Sequence, residues 1–363
     1  MSVSWNSAKM ADVFNLQMGK TPDRSNAAYW NGSETWVAIG DMGESRYISS
    51  SKELISTEAV SASGIKRVPL NTVIMSFKLS VGKVAIAASD LFTNEAIMAF
   101  LVKTGYDLVP EYIYYYLKGY KWQGSNRAVM GVTLNKASIS QGIFKYPDYQ
   151  EQKRIVAELD LLTEVIDKRR MQLTELDTLA QSIFYDMFGD PTHNEKGWDV
   201  KKWEKVFRMK SGDGLTVKDF INGVYPVYGG NGISGFHNAY NKDGSYIVIG
   251  RVGAYCGNVR FVQGKFWLTD NAFELFFDSK SFNFDFLCRM LNTYDLHQYA
   301  NQAAQPVISN TTLKGIDVIL PPLTLQQEFA DKIQSIEKQK AAVNQSIADT
   351  QKLLDYTMDK YFG

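Results

Sequence analysis

Cysteine is scarce in this chain. Two residues among 363, Cys256 and Cys288, cannot build a disulfide framework, so a reduced, cytoplasmic compartment is the expectation. No apolar run approaches the ~18 residues of a membrane span. The opening MSVSWNSAKM has no apolar signal-peptide core, and no membrane partner is expected. Charge of one sign is also missing, since 39 basic and 39 acidic side chains cancel. The cancellation hides a segregation: the nets over residues 1–149, 150–188, 189–323 and 324–361 are +3, −3, +1 and −1. The first and third stretches can therefore face a polyanion, although the charge does not demand one.

Catalytic signatures are lacking too. Gly257 to Lys265 has the wrong spacing for a phosphate-binding loop, and Phe266 follows the lysine. No GxGxxG lies between a strand and a helix. The three histidines, His193, His237 and His297, are scattered and give no metal-ligand spacing. Cys256, between Tyr255 and Gly257, reads as a buried turn residue rather than a nucleophile. Pro147-Asp148 with Glu151-Gln152-Lys153 is too compact for a nuclease PD…ExK string, and its second half falls on a helix. Leu320 to Leu323 reads LPPL, not the Asx/Pro-Pro-aromatic motif of amino-methyltransferases. No enzyme activity, cofactor or metal is expected of this chain.

What the chain does have is a heptad seam, found twice. Ile155, Leu159, Leu162, Ile166, Arg169, Leu173, Leu176, Ala180, Ile183 and Met187 follow in alternating steps of 4 and 3, and Arg169 alone is not apolar. That is the signature of a coiled-coil helix. Adding 174 gives Phe329, Ile333, Ile336, Lys340, Val343, Ile347, Thr350, Leu354, Thr357 and Tyr361. The stop repeats as well, Met187-Phe188-Gly189 becoming Tyr361-Phe362-Gly363. The polar intrusions Arg169, Lys340, Thr350 and Thr357 should reach water or a partner.

A module precedes each helix. The first opens on WNSAKMADVF and passes through turns at Pro22, Asn26, Asn31 and Gly32. Strands are expected at Thr72 to Phe77, Lys83 to Ala87 and Ala96 to Val102, then a helix capped at Asp107 with Pro110 in its first turn. The second opens on Trp198 to Val206 and carries strands at Tyr246 to Gly250, Asn258 to Val262 and Ala272 to Phe277. The offset drifts from 193 at Trp5/Trp198 to 174 at the helices, so the first copy holds 19 extra residues, mostly in its turn-rich front. The expected fold is α+β: two β-rich globular domains, residues 1–149 and 190–323, separated by long antiparallel coiled-coil helices, residues 150–189 and 324–363, in an internal pseudo-two-fold repeat. Shared scaffold with divergent loops suggests two versions of one module with different ligands.

Base reading uses Arg, Lys, Asn and Gln at loop or helix tips, with aromatics beside them. Candidates in the first copy are Lys20, Thr21, Arg24, Lys78, Lys83, Asn126 and Arg127. In the second they are Tyr228, Asn231, Arg251, Arg260, Asn301 and Gln302. Taken singly, each of them is better explained as solvated surface.

The order module–helix–module–helix resembles the DNA-specificity (S) subunit of type I restriction–modification systems. GKTP (Gly19 to Pro22), YPVYGGNG (Tyr225 to Gly232), GRVGAYCG (Gly250 to Gly257), YPDYQEQKRI (Tyr146 to Ile155), MFGDP (Met187 to Pro191) and LPPLTLQQEFA (Leu320 to Ala330) carry the resemblance. Tyr146-Pro147-Asp148 stands where that family often has a double proline, as Pro321-Pro322 does here. The resemblance implies that each globular part is a target recognition domain reading one half of a bipartite site in double-stranded DNA. It implies helices that set the spacing and dock two modification subunits, which use S-adenosylmethionine to methylate adenine, and a motor–nuclease restriction subunit that uses ATP. This chain itself would hold no cofactor. A helix of about 39 residues spans roughly 58 Å, enough to separate two half-sites about one turn of duplex apart. The competing class is a coiled-coil scaffold that binds no DNA.

Overall fold

The computed structural model describes residues 4–43, 45–78, 80–122, 127–128, 131–132, 134–301 and 305–363. The chain forms two compact units, residues 1–168 with 346–363, and residues 169–345. The long helices are Tyr149–Phe188 and Leu323–Phe362, 40 residues each and 174 apart at both ends.

In each unit the first and last strands of the module pair with one another just before its helix begins. Asn6–Lys9 is antiparallel to Ile143–Tyr146, and Val200–Lys202 to Asp317–Ile319. The main sheet of the first unit runs Phe14–Met18, Ile97–Val102, Val73–Ser76, Val84–Ala87, Tyr47–Ile48. In the second unit it runs Arg208–Ser211, Ala272–Phe276, Lys242–Gly250, Val259–Leu268, Tyr225–Gly229, with Gly232–His237 added at the edge. Directions match as well as order: each sheet is antiparallel up to its fourth strand, and the fifth joins the fourth in parallel. The strands form where apolar residues cluster without a break, and Val73–Ser76 and Val84–Ala87 are buried throughout, because the sheet is covered on both faces.

Gly19 and Gly212, 193 apart, mark the same close approach in both units. A Cβ there would lie 2.0 Å from the carbonyl oxygen of Thr93 and 2.1 Å from that of Leu268 respectively, so no side chain fits.

The extra residues of the first copy do fall in its front half. They build a three-stranded sheet, Glu53–Ile55, Glu34–Val37, Phe92–Thr93, and the helix Thr57–Ser63, capped by Ser56 on Ala59 N–H. Trp36, Ile55, Ala59, Ile65 and Phe92 give this addition its own small core.

A helix follows the main sheet in each unit, Pro110–Gly119 and Phe284–Thr293, again 174 apart. Asn283 caps the second through Asp285 N–H. The first is not capped by Asp107: its N-cap is Val109, which offers no side-chain hydrogen bond. Pro110 at the first helical position has no N–H to satisfy, and the carbonyl of Asp107 instead accepts from Gln152.

The two long helices run antiparallel within each unit. In the first, Arg154 and Glu158 both hydrogen-bond the hydroxyl of Tyr361, at 2.9 and 2.8 Å. In the second, Lys340 meets Asp177 at 2.8 Å and the rings of Phe184 and Phe188 pack on Phe329. Near the end of the first seam the buried positions move by one. Phe184 and Phe188 are fully enclosed, while Ile183 and Met187 are half-buried, because helix Phe284–Thr293 covers that side through Phe286. Thr357 also departs from expectation. It is buried, being small enough to be enclosed in the seam, whereas Arg169, Lys340 and Thr350 stay partly exposed.

One buried polar group begins each long helix. Gln152 and Gln326 are fully enclosed and make the same three bonds. Gln152 accepts from Val109 N–H at 2.9 Å and donates to the carbonyls of Asp107 and Pro147. Gln326 accepts from Asn283 N–H at 2.9 Å and donates to those of Ser281 and Pro321. Each glutamine ties the loop before the module's helix to the start of the long one, and it satisfies backbone groups that burial would otherwise leave unpaired.

Candidate nucleic-acid interface

In the first unit most of the described candidate side chains are held by bonds within the unit. Lys20 Nζ donates to the carbonyl of Ser63, and Thr21 to Glu95. The Thr21 hydroxyl keeps the Glu95 carboxyl below the usual range, with Lys78 and Arg24 adding to the effect. Arg24 forks onto Glu53 and lies 3.7 Å over the Trp30 ring, so Glu53 too is held low. Lys83 Nζ donates to the carbonyls of Met42 and Ile39, at 2.9 and 3.4 Å. Lys78 lies by the Phe77 ring. Asn126 and Gln302 are outside the described residues, and Arg127 opens a two-residue strand paired with Gly131–Val132.

The second unit is more open. A cleft of about 760 Å³ lies beside the turn Gly229–Gly232, walled by Thr216, Asn231, Ser234, Asp270, Asn271 and Gln305. Among the described candidates only Asn231 lines it. Arg251 sits behind the wall: its N–H donates to the carbonyl of Asn271 at 2.9 Å and Nη1 to that of Asp270 at 3.2 Å, while its buried Nε has no partner. Arg260 packs its guanidinium against Gly232, where a Cβ would approach it to 3.2 Å. Tyr228 turns its ring onto Phe266, and Asn301 closes its own loop on Val307 N–H at 2.9 Å. The sequence reading passed over Asn271, Gln305, Thr216 and Ser234. Asn271 had a signal, an Asp-Asn turn opening a strand; the others are far apart in sequence and meet only in the fold.

Among the described residues the one Cys–His approach is not set up for covalent chemistry. Cys256 Sγ lies 3.2 Å from His297 Nδ1, but burial pushes the thiol pKa up, away from the thiolate that a nucleophile needs. Among the described residues no cluster of His, Cys, Asp or Glu could hold a metal ion, and no helix is long and apolar enough to cross a membrane. The cleft offers amide, hydroxyl and backbone groups at an open surface, which suits hydrogen-bond recognition of a polar edge.

Comparison with known proteins places most of the chain in one family. Residues 2–176 and 195–350 match a family model described as the type I restriction modification DNA specificity domain. The type I restriction enzyme EcoprrI specificity subunit of Escherichia coli is 28% identical over 354 residues, covering 90% of this chain and 85% of that protein. The MjaIX specificity subunit of Methanocaldococcus jannaschii is 28% identical over 250 residues, 61% of this chain and 56% of that one. Among solved structures, a type I restriction–modification S subunit from M. genitalium superposes with a TM-score of 0.57 at 15% identity, covering 100% of this chain and 97% of that one. A chain from work on assembly and conformational transition of the type I R-M system gives 0.65 at 16% identity, covering 100% and 99%. At such identities the structures speak for the fold.

Proposed function

Since the chain belongs to the type I restriction–modification DNA-specificity family, as a non-catalytic specificity subunit, we propose that residues 1–149 and 190–323 are two target recognition domains, each reading one half of a bipartite site in double-stranded DNA. The observation that carries this is divergence over a constant scaffold. Sheet order, helix and glutamine clamp repeat, while the front loops differ: the first unit adds a three-stranded sheet and the helix Thr57–Ser63, the second the edge strand Gly232–His237. A module kept constant where it meets the helices and varied at its loops is built to present different chemistry from the same mount.

In the second domain the reading surface is the cleft beside Gly229–Gly232. Asn231, Asn271 and Gln305 are the residues with the amide geometry that reads a base edge, and Arg251 acts from behind by holding the carbonyls of Asp270 and Asn271. In the first domain Lys20, Thr21 and Arg24 shape the loop by their internal bonds, which leaves Lys78, Asn126 and Arg127 as the candidates for DNA contact.

The helices, residues 150–189 and 324–363, set the spacing and dock two modification subunits. Leu179 and Leu353, 174 apart, are 48% and 51% exposed, the same apolar foothold offered twice, as two copies of one partner require. Restriction subunits join that assembly, and the working complex is cytoplasmic.

The test is a domain exchange. Replacing residues 1–147 by another such module should change one half of the methylated motif and leave the other intact; a change in both halves refutes independent reading. A gel shift with partner subunits present should weaken steeply with salt. Salt-indifferent binding, or none, would favour a scaffold without DNA.

A further inference from the structure

The two units carry a notch at matching places, and among the described residues it is filled in the first unit alone. In the first unit it lies between helix Pro110–Gly119, the long helix and strand Val84–Ala87. Tyr47–Ile48 runs parallel along that strand, with Tyr47 opposite Ile86, and Ile86 N–H donates to the carbonyl of Arg46 at 2.8 Å. Two side chains thereby enter the notch. The Arg46 guanidinium forks onto Asp160 of the long helix and donates to the Tyr115 hydroxyl at 2.7 Å. Tyr47 donates its hydroxyl to Glu111 at 2.6 Å.

Advancing by 174 takes Glu111 to Asp285, Tyr115 to Arg289 and Thr163 to Glu337. The strand ladders carry the match further: Val73 pairs with Ile86 as Ile247 pairs with Phe261. Phe261, Asp285, Cys288, Arg289, Ile333 and Glu337 line a cavity of about 470 Å³. The parallel strand of this unit meets Val259–Leu268 at Trp267 and Leu268, beyond Phe261, so among the described residues nothing takes the place of Arg46 and Tyr47. Of the two carboxylates that receive them in the first unit, Glu111 has its counterpart in Asp285, whereas Asp160 is matched by Gln334, and Glu337 supplies a carboxylate where the first unit has Thr163. Asp285 forms no ion pair among the described residues, and its carboxylate has only a 3.5 Å contact from Gln334. Burial, and then the charge of Glu337, push its pKa above the ordinary range. Glu337 is held by Lys340 at 3.0 Å, and Arg289 on the wall pairs with neither carboxylate.

We propose that this notch docks an arginine-bearing extended segment of a partner protein, laid beside Phe261 as Arg46–Tyr47 is laid beside Ile86, with its guanidinium on Asp285. The chain's own Arg46 is committed to Asp160, so a second copy does not present that segment. The probe is a capped peptide, Ser-Arg-Tyr-Ile-Ser, copied from residues 45–49, with a photo-crosslinking benzophenone at its end. It is irradiated with the full chain, and the adducts are mapped by mass spectrometry. Adducts should fall within residues 259–292. Their yield should drop about tenfold when norleucine replaces the peptide's arginine, and equally with Asp285→Asn, the loss of one charged hydrogen-bond pair. Asp285→Glu, which keeps the charge, should retain most of the yield, and a thermal melt confirms that both variants are folded. Adducts scattered over the surface, or a yield indifferent to the arginine and to Asp285, overturn the proposal. DNA reading is untouched by either result.

Discussion

The two units differ least where they are most buried and most where they are open. Gln152 and Gln326 repeat every bond to the same backbone positions, because enclosed N–H and C=O groups leave no alternative partner. The front loops are free of that constraint. The first unit uses its extra residues to add a sheet and to fill a notch with Arg46; the second leaves both a cleft and a notch open. A repeat that holds its mount fixed can therefore change what it meets without refolding.

The largest test of the equivalence removes one half. A chain ending at Gly189 loses residues 346–363, whose Phe362 packs 5.6 Å from both Tyr112 and Tyr116. Phe188 is its counterpart, 4.6 Å from Phe286. A second copy can supply Phe188 where Phe362 was, and burying each such ring gains roughly 1.5–3 kcal/mol. Sedimentation should show a homodimer. A clean monomer, with Arg169 of two copies repelling in the seam, breaks the comparison.

Next are the glutamines. Gln152→Leu and Gln326→Leu should each cost about 3 kcal/mol or more, since several enclosed backbone groups lose their partner at once. Urea unfolding should give similar losses for the two; effects that differ by a factor of two or more would mean that the clamps are not equivalent. Arg46→Ala should be a first-unit effect, about 2 kcal/mol from its fork onto Asp160. Gln334→Ala, at the matching place, should be close to silent.

Asn231→Ala should weaken discrimination at one position of the second half-site by about 1–3 kcal/mol, measured by competition among base-substituted duplexes. Arg24→Ala, whose guanidinium already serves Glu53 and Trp30, should leave base discrimination unchanged and lower only stability. The smallest effect is chemical. Burial pushes the Cys288 thiol up to about 11, so at neutral pH little of it is thiolate and labelling should be slower than for an exposed thiol. Labelling should speed up as pH rises toward that value. Rapid labelling at neutral pH would mean that the notch wall opens.

Much of this architecture was legible in the residues. Heptad spacing gave both helices and their offset, since a periodic apolar face is a local property. Unbroken apolar runs marked Val73–Ser76 and Ile97–Val102. Local pattern failed where a distant element decided the outcome. The seam moves from Ile183 and Met187 to Phe184 and Phe188 because Phe286 lies against it. Gln152 looks like any helix glutamine until the loop at Asp107–Val109 folds over it.

The sequence by itself determined the repeat and the paired helices, because these rest on spacing and residue type. Only the tertiary structure decided which polar side chains face outward. Arg24 finds Glu53 29 positions on, and Arg46 finds Asp160 114 positions on. A charge on a loop is free or occupied according to which chain segment folds beside it, and that choice is made by the closure of the whole module rather than by the residues next to the charge.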